Sequence, residues 1–410
     1  MSRRIGAAAA VAAVVVWLVV SGLDLDPRPG LTDIPVYEDA ARAVTGGDVP
    51  YRDLPFEYPP LALGLVTFAR LLPMPYPSAF SLLMLIALCA TALGVVATAR
   101  ALGLPPWRQA AAGAAVAMLP VLLGDFVAAR FDLALAALLA WTVWAAVTGH
   151  WKTAWSLFAV AVALKLVPLV LAPLLVLWHR RSRGTAGAMG SLAVALASVA
   201  ATLLPFIVLA PGGVWHMFEY HIDRPLQIES TGSAYLLGLH ALADIPLRVE
   251  SSFGSQNLVG SGPAAIAAIS TMLAILGIAA VCVTVALLLR ETPRGGENGL
   301  MIAGVAATMA LAVTAGKVLS PQFVIWLVPL TLLLGGRFGV RAFAATLGVL
   351  VATRLYFPGR YWDLVGLQST PIALLVLRDA LLVALVAFAW PRPEAAGEEA
   401  APVNAPARGA

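Results

Sequence analysis

Charged side chains are scarce in this sequence. Of its 410 residues only 12% are Asp, Glu, Lys or Arg, whereas 60% are hydrophobic. A soluble globular domain carries about twice that charged fraction, and long apolar runs separated by short basic links are typical of polytopic helical membrane proteins. The net charge of +4 therefore reports on membrane topology, and we expect a lipid bilayer rather than a nucleic acid as the partner.

Cysteine and histidine are rarer still, and their scarcity excludes several kinds of chemistry. The two cysteines, Cys89 and Cys282, lie inside predicted helices, so a disulfide framework is not expected. The five histidines form no HxxxH pair and no CxxC pair occurs, which argues against a metal site built from side chains alone. No glycine-rich nucleotide-binding motif is evident either. The sequence requires no cofactor, although carboxylates at the outer face leave recruitment of a divalent cation open.

The apolar runs predict an all-α integral membrane domain over residues 1–390. Basic residues concentrate in the links on one side, and by the positive-inside rule both termini are expected in the cytoplasm of a multi-pass plasma-membrane protein. The tail at 391–410, rich in Ala, Glu and Pro, is predicted to be disordered. About twelve transmembrane helices are predicted, some of them short, at about 5–23, 78–99, 109–123, 132–147, 153–167, 168–178, 186–209, 264–289, 299–315, 323–334, 342–356 and 371–390.

Two long polar segments interrupt this pattern, and both are predicted to be extracytoplasmic. The first polar segment, residues 24–75, contains eight of the 22 acidic residues, and the second polar segment covers residues 211–263. We expect short helices to lie along the outer face, one of them at about 60–72, because such a helix is too short to span a bilayer. Long polar loops in a membrane protein usually carry function. The first polar segment is therefore predicted to form the floor of an active site.

Ionisable residues recur where the predicted helices meet the outer face, and their cost in that setting suggests a function. Lys165 and Lys317 have no acidic neighbour within four residues, so they suit an anionic ligand such as a lipid phosphate; snorkelling to the interface is the alternative. Two other sets of charges are expected to neutralise each other at helix ends: Arg130 with Asp132, and Arg378 with Asp379.

Four blocks, in this order, resemble those of glycosyltransferase family 87. They are TDIPVYEDAARAVTGGDVPYRDLPFEYPPLAL (32–63), KLVP (165–168), HIDRPLQIES (221–230) and KVLSPQFVIWLVPL (317–330). That family comprises polyprenyl-phosphate-mannose-dependent α-mannosyltransferases of the GT-C fold, which act in the membrane. The resemblance implies that an acceptor hydroxyl attacks C1 of a lipid-phosphate sugar, with inversion, on the extracytoplasmic side. It also implies a glycolipid or glycan as the acceptor.

The resemblance also implies roles for individual residues. A GT-C enzyme usually places its catalytic base in the first outer loop, where Asp33 lies; Glu57 is the rival, and Asp24 and Asp26 are weaker candidates. Alternatively, Thr32 or Asp33 is simply the N-cap of a helix at 34–44. Cations that would bind the donor phosphate are Lys165, Arg224 and Lys317, together with His221, which could bind the acceptor instead. Residues expected to contact the sugar or the acceptor are Tyr37, Glu57, Tyr58, Gln227, Glu229 and Gln322.

Other interpretations stay open at the level of the sequence. The residues at 221–229 could merely form a hydrogen-bond network that folds the second polar segment. A GT-C enzyme for another sugar, such as arabinose or glucose, has the same features. A transporter or flippase of a lipid-linked saccharide is the alternative class, but transporters usually show inverted repeats, and no convincing internal repeat is visible. A purely structural membrane subunit is disfavoured by the acidic first polar segment and the isolated lysines.

Overall fold

The computed structural model describes residues 2–23 and 31–393. Asp24 and Asp26, the weaker base candidates, lie outside these residues, as does the tail from residue 394. The described residues are predominantly helical, which confirms the all-α membrane fold. The helices, in chain order, are α1 (Ser2–Leu23), α2 (Ile34–Gly46), α3 (Pro60–Arg70), α4 (Tyr76–Ala101), α5 (Pro106–Ala117), α6 (Leu119–Leu123), α7 (Asp132–Val147), α8 (Trp151–Leu164), α9 (Ala172–Arg183), α10 (Thr185–Leu209), α11 (Pro211–Asp223), α12 (Thr231–Ala243), α13 (Ser261–Glu291), α14 (Asn298–Thr314), α15 (Val324–Thr331), α16 (Gly336–Tyr356), α17 (Tyr361–Val365) and α18 (Ser369–Ala389).

Six helices in the described ranges are long and apolar enough to cross a membrane: α1, α4, α10, α13, α16 and α18. Among the shorter apolar helices are α3, α7, α8 and α14, and α7 coincides with the predicted helix at 132–147. The predicted helix at 109–123 is divided into α5 and α6 at Met118, next to Pro120, whose ring and missing N–H break the helical hydrogen-bond ladder. The predicted helix at 153–167 ends early, because Lys165 already has an extended backbone.

The second polar segment has more structure than a loop. It begins with α11, continues through α12, and adds a three-stranded antiparallel sheet in the order β1-β3-β2. The strands are β1 (Leu226–Gln227), β2 (Arg248–Ser252) and β3 (Ser255–Val259). Phe253 and Gly254 join β2 to β3 with positive φ angles, as a tight two-residue hairpin turn requires. The sheet fixes the segment that carries several of the predicted site residues.

The helices differ in how much of their surface other helices cover. α4 packs against α1 and α7, and α16 packs along α18. By contrast, α10 and α13 expose large apolar side chains such as Val208 and Ile275, which suits contact with lipid. Loops far from the polar segments are tied together by arginines, since Arg108 donates to the carbonyl oxygen of Leu334 and Arg181 to that of Thr292. These contacts hold the end of the bundle that lies away from the cavity described next.

Candidate active site

A cavity of about 900 Å³ lies where the two polar segments meet the ends of α8, α14 and α16. Its walls come from segments far apart in the chain, so only the folded chain brings them together. All eleven residues named from the sequence as site candidates line it: Asp33, Tyr37, Glu57, Tyr58, Lys165, His221, Arg224, Gln227, Glu229, Lys317 and Gln322. Their chemical roles stay predictions, but their convergence in one chamber is a finding.

Asp33 stands at the N-cap position of α2 but does not cap the helix with its side chain. The amide of Ile34 is bonded to the hydroxyl of Thr32 instead, 3.2 Å away. The Asp33 carboxylate is turned to Arg130, whose Nη1 lies 2.7 Å from Oδ2, and it accepts a hydrogen bond of 3.3 Å from Tyr37. The capping explanation therefore does not account for this carboxylate, which is free of the helix backbone and faces the cavity.

The surroundings of Asp33 act on its proton affinity in opposite directions. Burial raises the pKa of Asp33, while the Arg130 guanidinium lowers it and the negative charges of Glu57 and Asp132 raise it further, with a net upward shift. Burial also raises the pKa of Tyr37 well above its usual value, so its hydroxyl remains a donor. The outcome is a carboxylate that is ion-paired yet takes up a proton more readily than an exposed aspartate.

Arg130 and Asp132 do not pair with each other, contrary to the expectation from their spacing. Arg130 pairs with Asp33, and Asp132 pairs with Lys165, whose Nζ lies 2.8 Å from Oδ1. The indole of Trp326 donates to the same oxygen at 2.7 Å. Because Asp132 balances its charge, Lys165 loses the property for which it was predicted to bind phosphate, namely the lack of an acidic partner.

Lys165 is further enclosed by aromatic rings. Its Nζ lies 4.7 Å from the ring centre of Trp326 and between 5.1 and 5.4 Å from those of Tyr58, Phe131 and Phe323. Such cation–π contacts stabilise a desolvated ammonium. Tyr58 also packs edge-on against Phe131 at 4.9 Å, and burial raises its pKa. These residues form a wall of the cavity in which Lys165 is a structural cation, and its binding of a ligand stays a prediction.

Arg224 and Lys317 are the predicted cations without a carboxylate partner. No ion pair with either is found within the part of the chain that the structure describes. Arg224 donates to the hydroxyl of Ser255 at 3.0 Å, while its Nε is buried without a hydrogen-bond partner among the described residues. Lys317 donates to the carbonyl oxygen of Ile222, and burial lowers its pKa. Both side chains line the cavity without an ion pair, although the negative charge of Asp223 acts on Lys317 and raises its pKa.

His221 is oriented by the first polar segment. Its Nε2 lies 2.9 Å from the backbone carbonyl oxygen of Glu57, so that nitrogen must carry the proton. Burial lowers the pKa of His221, which favours the neutral ring. In that form Nδ1 is an acceptor, which suits a hydroxyl group better than the phosphate for which His221 was predicted.

Glu229 and Gln227 form the most enclosed part of the lining. Gln227 donates through Nε2 to Glu229 at 3.0 Å and to Ser320 at 3.0 Å, which joins the third and fourth blocks of the sequence. Burial raises the pKa of Glu229 to about 7. Gln322 is buried nearby in the lining, and its Oε1 has no partner among the described residues. The side chain of Glu57 lines the cavity half-buried.

Several lining residues were not predicted from the sequence as site residues. Arg130 was treated as half of a neutral pair, and Phe357, Tyr361 and Trp362 follow α16 without any motif to mark them. The polar stretch after α16 was the available signal, because it follows an apolar helix at the same end as the cavity. Within the described ranges no group of three His, Cys, Asp or Glu side chains is arranged to hold a metal ion.

The fold and the cavity together describe a helical membrane protein with a charged chamber at its helix ends. Residues 56–321 match the family model described as Glycosyltransferase family 87. The chain belongs to this family and is a membrane glycosyltransferase. None of the curated proteins searched matches the chain. The match contains eight of the eleven site candidates, whereas Asp33, Tyr37 and Gln322 lie outside it.

Proposed function

We propose that this membrane glycosyltransferase moves mannose from a polyprenyl phosphate to a hydroxyl group of a lipid or glycan at the extracytoplasmic face, with inversion at C1. The observation that supports it best is the position of Arg224 and Lys317. The two cations lie at the boundary between the charged chamber and a second, mainly apolar cavity. A polyprenyl-phosphate sugar has a matching sequence of groups: a polar sugar for the chamber, a phosphate for the two cations and a hydrocarbon chain for the apolar cavity.

The second cavity has a volume of about 390 Å³ and shares Arg224, Lys317 and Thr271 with the main chamber. Its other walls, apart from Asp223, are mostly apolar, so an isoprenoid chain could pass from the bilayer into this cavity without leaving apolar surroundings. The phosphate of such a donor would meet two cations that have no carboxylate partner, and its chain would leave along the lipid-facing helix α13. Apolar residues of this cavity are Pro225, Leu226, Leu258, Val259, Ala264, Ala267 and Ala268.

The transfer requires one base and one anion-stabilising site. The acceptor hydroxyl loses its proton to a carboxylate as its oxygen attacks C1, the bond from C1 to the phosphate oxygen breaks, and the phosphate leaves as an anion. We assign the base to Asp33, because its carboxylate faces the chamber and burial raises its pKa while Arg130 keeps it paired. Arg224 and Lys317 would stabilise the charge that develops on the phosphate. No acid is needed to protonate such a leaving group.

The test is transfer of radiolabelled mannose from polyprenyl-phosphate mannose in membranes that contain the wild type, Asp33→Asn or Asp33→Ala. Loss of a general base costs typically 10²- to 10⁴-fold, so we expect both variants to fall by about that factor at normal expression. Asp39→Asn is the matched control, since Asp39 lies on the same helix, is exposed, and pairs with Arg42. It should keep wild-type activity.

The alternatives give different results in the same assay. Activity that survives in both Asp33 variants and is lost in Glu57→Gln would move the base to Glu57. A wild type that uses the arabinose or glucose donor and rejects mannose would change the sugar but keep the reaction. A wild type that moves intact lipid-linked saccharide across vesicles and transfers none would replace the enzyme by a flippase.

A further inference from the structure

Arg378 is a charge buried completely inside α18, one of the helices long and apolar enough to cross the membrane. It pairs with Asp379 at 2.8 Å, as its position in the sequence suggested. That pair occupies only part of the guanidinium. Nη1 donates to the hydroxyl of Tyr356 at 3.0 Å, and Nη2 also donates to the carbonyl oxygen of Glu229. An ionisable group at such depth is costly, so its contact with the cavity lining calls for a function.

The direction of every hydrogen bond from Arg378 to the cavity is determined. A guanidinium only donates, so the oxygen of Tyr356 accepts, and its single proton is left for Oε1 of Glu229, 3.2 Å away. Oε2 of Glu229 accepts from Gln227. Both carboxylate oxygens thus accept from donors, which is the arrangement of an ionised carboxylate. Hydrogen bonds aligned in this way polarise one another.

The chain of contacts continues into the loop that carries Lys317. Gln227 donates from its side chain to Ser320 and from its backbone amide to the carbonyl oxygen of Lys317, each at 3.0 Å. One residue therefore holds both ends of the loop at 317–320. The orientation of the Gln227 side-chain amide depends in turn on Glu229. The second N–H of that amide is donated to Oε2 of Glu229, which accepts it only while this oxygen carries no proton.

We propose that Arg378 and Tyr356 are positioning residues, which hold the Glu229 carboxylate ionised and through Gln227 orient the loop at 317–322 toward the phosphate of the donor. This inference rests on the transfer reaction proposed above. Neither residue lines the cavity. Both act through Glu229.

The proposal predicts how activity depends on pH. Three charged or titratable groups lower the pKa of Glu229: Arg378, Tyr356 and Arg130. Two further titratable groups, Asp379 and Tyr361, share its surroundings. Because burial raises the pKa of Glu229 to about 7, the ionised form dominates above that pH and is lost as the pH falls through it. kcat/KM for the donor should therefore decline on the acidic side of about pH 7.

The experiment compares the pH profile of kcat/KM in the wild type, Tyr356→Phe, Glu229→Gln and the double variant. A hydrogen bond to a charged group contributes roughly 1.5–3 kcal/mol, and one pKa unit corresponds to about 1.4 kcal/mol, so Tyr356→Phe should move the acidic limb up by about one pH unit. Its activity should recover at alkaline pH. Glu229→Gln should lose the limb that belongs to Glu229 and keep only the one from protonation of the base Asp33. Tyr356→Phe should have no further effect in that background.

Tyr76→Phe is the matched control. Tyr76 is also buried and donates to a backbone carbonyl, that of Val66, but it does not line the cavity and does not contact Glu229. Its pH profile should equal that of the wild type. The proposal would be overturned if Tyr356→Phe lowered kcat/KM by the same factor at every pH. It would also be overturned if the fall in kcat/KM persisted in the Glu229→Gln background.

Binding of polyprenyl phosphate without a sugar, measured on the purified protein, separates this inference from the proposed function. A wild type that binds this lipid and transfers no sugar refutes the transfer reaction, while the proposal still requires Tyr356→Phe to shift the pH dependence of binding. Should Tyr356→Phe not fold, Ser320→Ala tests the other end of the chain. The proposal predicts that Ser320→Ala has a higher KM for the donor, while the acidic limb of its pH profile stays at the wild-type position. An unchanged KM contradicts the proposal.

Discussion

Two ion pairs in the cavity wall decide which cations remain for a ligand. Arg130 forms an ion pair with Asp33, and Lys165 forms one with Asp132. Arg224 and Lys317 keep their charge, and the buried Nε of Arg224 lacks a partner among the described residues. A buried donor without a partner costs about 1–3 kcal/mol. Occupation by an anion would remove that cost at Arg224 but would gain little at Lys165.

Arg224→Gln should therefore lower kcat/KM for the lipid-phosphate donor, because Arg224 is proposed to bind the phosphate and to stabilise the charge that develops on it. A hydrogen bond to a charged group is worth roughly 1.5–3 kcal/mol, so we expect a fall of about 10- to 100-fold, measured by steady-state transfer at several donor concentrations. Arg248→Gln is the control, because Arg248 is exposed and pairs with Glu250. Equal effects in the two variants would show that only the overall charge matters.

The sequence was a better guide to which residues form the site than to which of them form ion pairs with each other. Asp33 and Arg224 were identified because they belong to blocks that resemble a family, and Lys317 was identified also because it has no acidic neighbour within four residues. The pairing of Lys165 with Asp132 could not be predicted, since the two are 33 positions apart and only the packing of α7 against α8 brings them together. Arg130 was one of the ionisable residues at the outer helix ends, but its neighbour Asp132 offered a simpler explanation for its charge.

At the scale of elements, α11 connects the two polar segments. A Cβ atom on Gly213 would collide with the carbonyl oxygen of Tyr51, so the helix approaches the first polar segment as closely as its backbone allows. Eight residues further along α11, His221 bonds the backbone of Glu57. Arg224 follows directly after the helix ends. The position of this cation thus depends on the contact at Gly213.

Gly213→Ala should displace α11 and lower transfer. Forcing a methyl group into a packed contact costs typically 1–3 kcal/mol, and an error of about 1 Å in placing a catalytic group can reduce the rate about 10²-fold. Gly212→Ala is the matched control, because a Cβ there meets no atom within 4 Å. Transfer assays and thermal unfolding in detergent report both effects. Equal behaviour of the two variants would contradict this account of α11.

The elements of the second polar segment were only partly predictable. Its short helices were expected in general, but α11 begins with Pro211, Gly212 and Gly213, which resemble a turn more than a helix start. The sheet pairs Leu226 with Leu258. Such pairing is not local, and a strand of two residues shows no alternation. The long apolar helices, by contrast, follow directly from their hydropathy.

At the scale of the whole molecule, the cavity and the arginine-tied loops lie at different ends. The sequence assigns the loop with Arg290 and Arg294 to the cytoplasm by its charge. The twelve-helix count came from the apolar runs and the basic links between them and included four short helices, whereas six helices meet both the length and the hydropathy of a span within the described ranges. Short helices such as α7 and α8 could be identified by pattern but not placed in depth, because depth depends on their neighbours.

Single cysteines at the two ends test this topology. In a background from which Cys89 and Cys282 are removed, Ser251→Cys should react with a membrane-impermeant thiol reagent on intact cells, and Arg294→Cys should not. Both positions are exposed in the structure, so both should react after permeabilisation. Labelling of Arg294→Cys on intact cells would invert the assignment and place the cavity in the cytoplasm.

The position of α18 in the chain has a consequence for how the protein is made. Every residue that lines the cavity precedes Ser369, yet Arg378, which holds Glu229, belongs to α18. A ribosome that has synthesised and inserted the chain up to α17 has therefore delivered all the walls of the chamber, but not the residue that orders them. If Arg378 positions Glu229 as proposed, the nascent chain completes this chamber only when α18 enters the membrane.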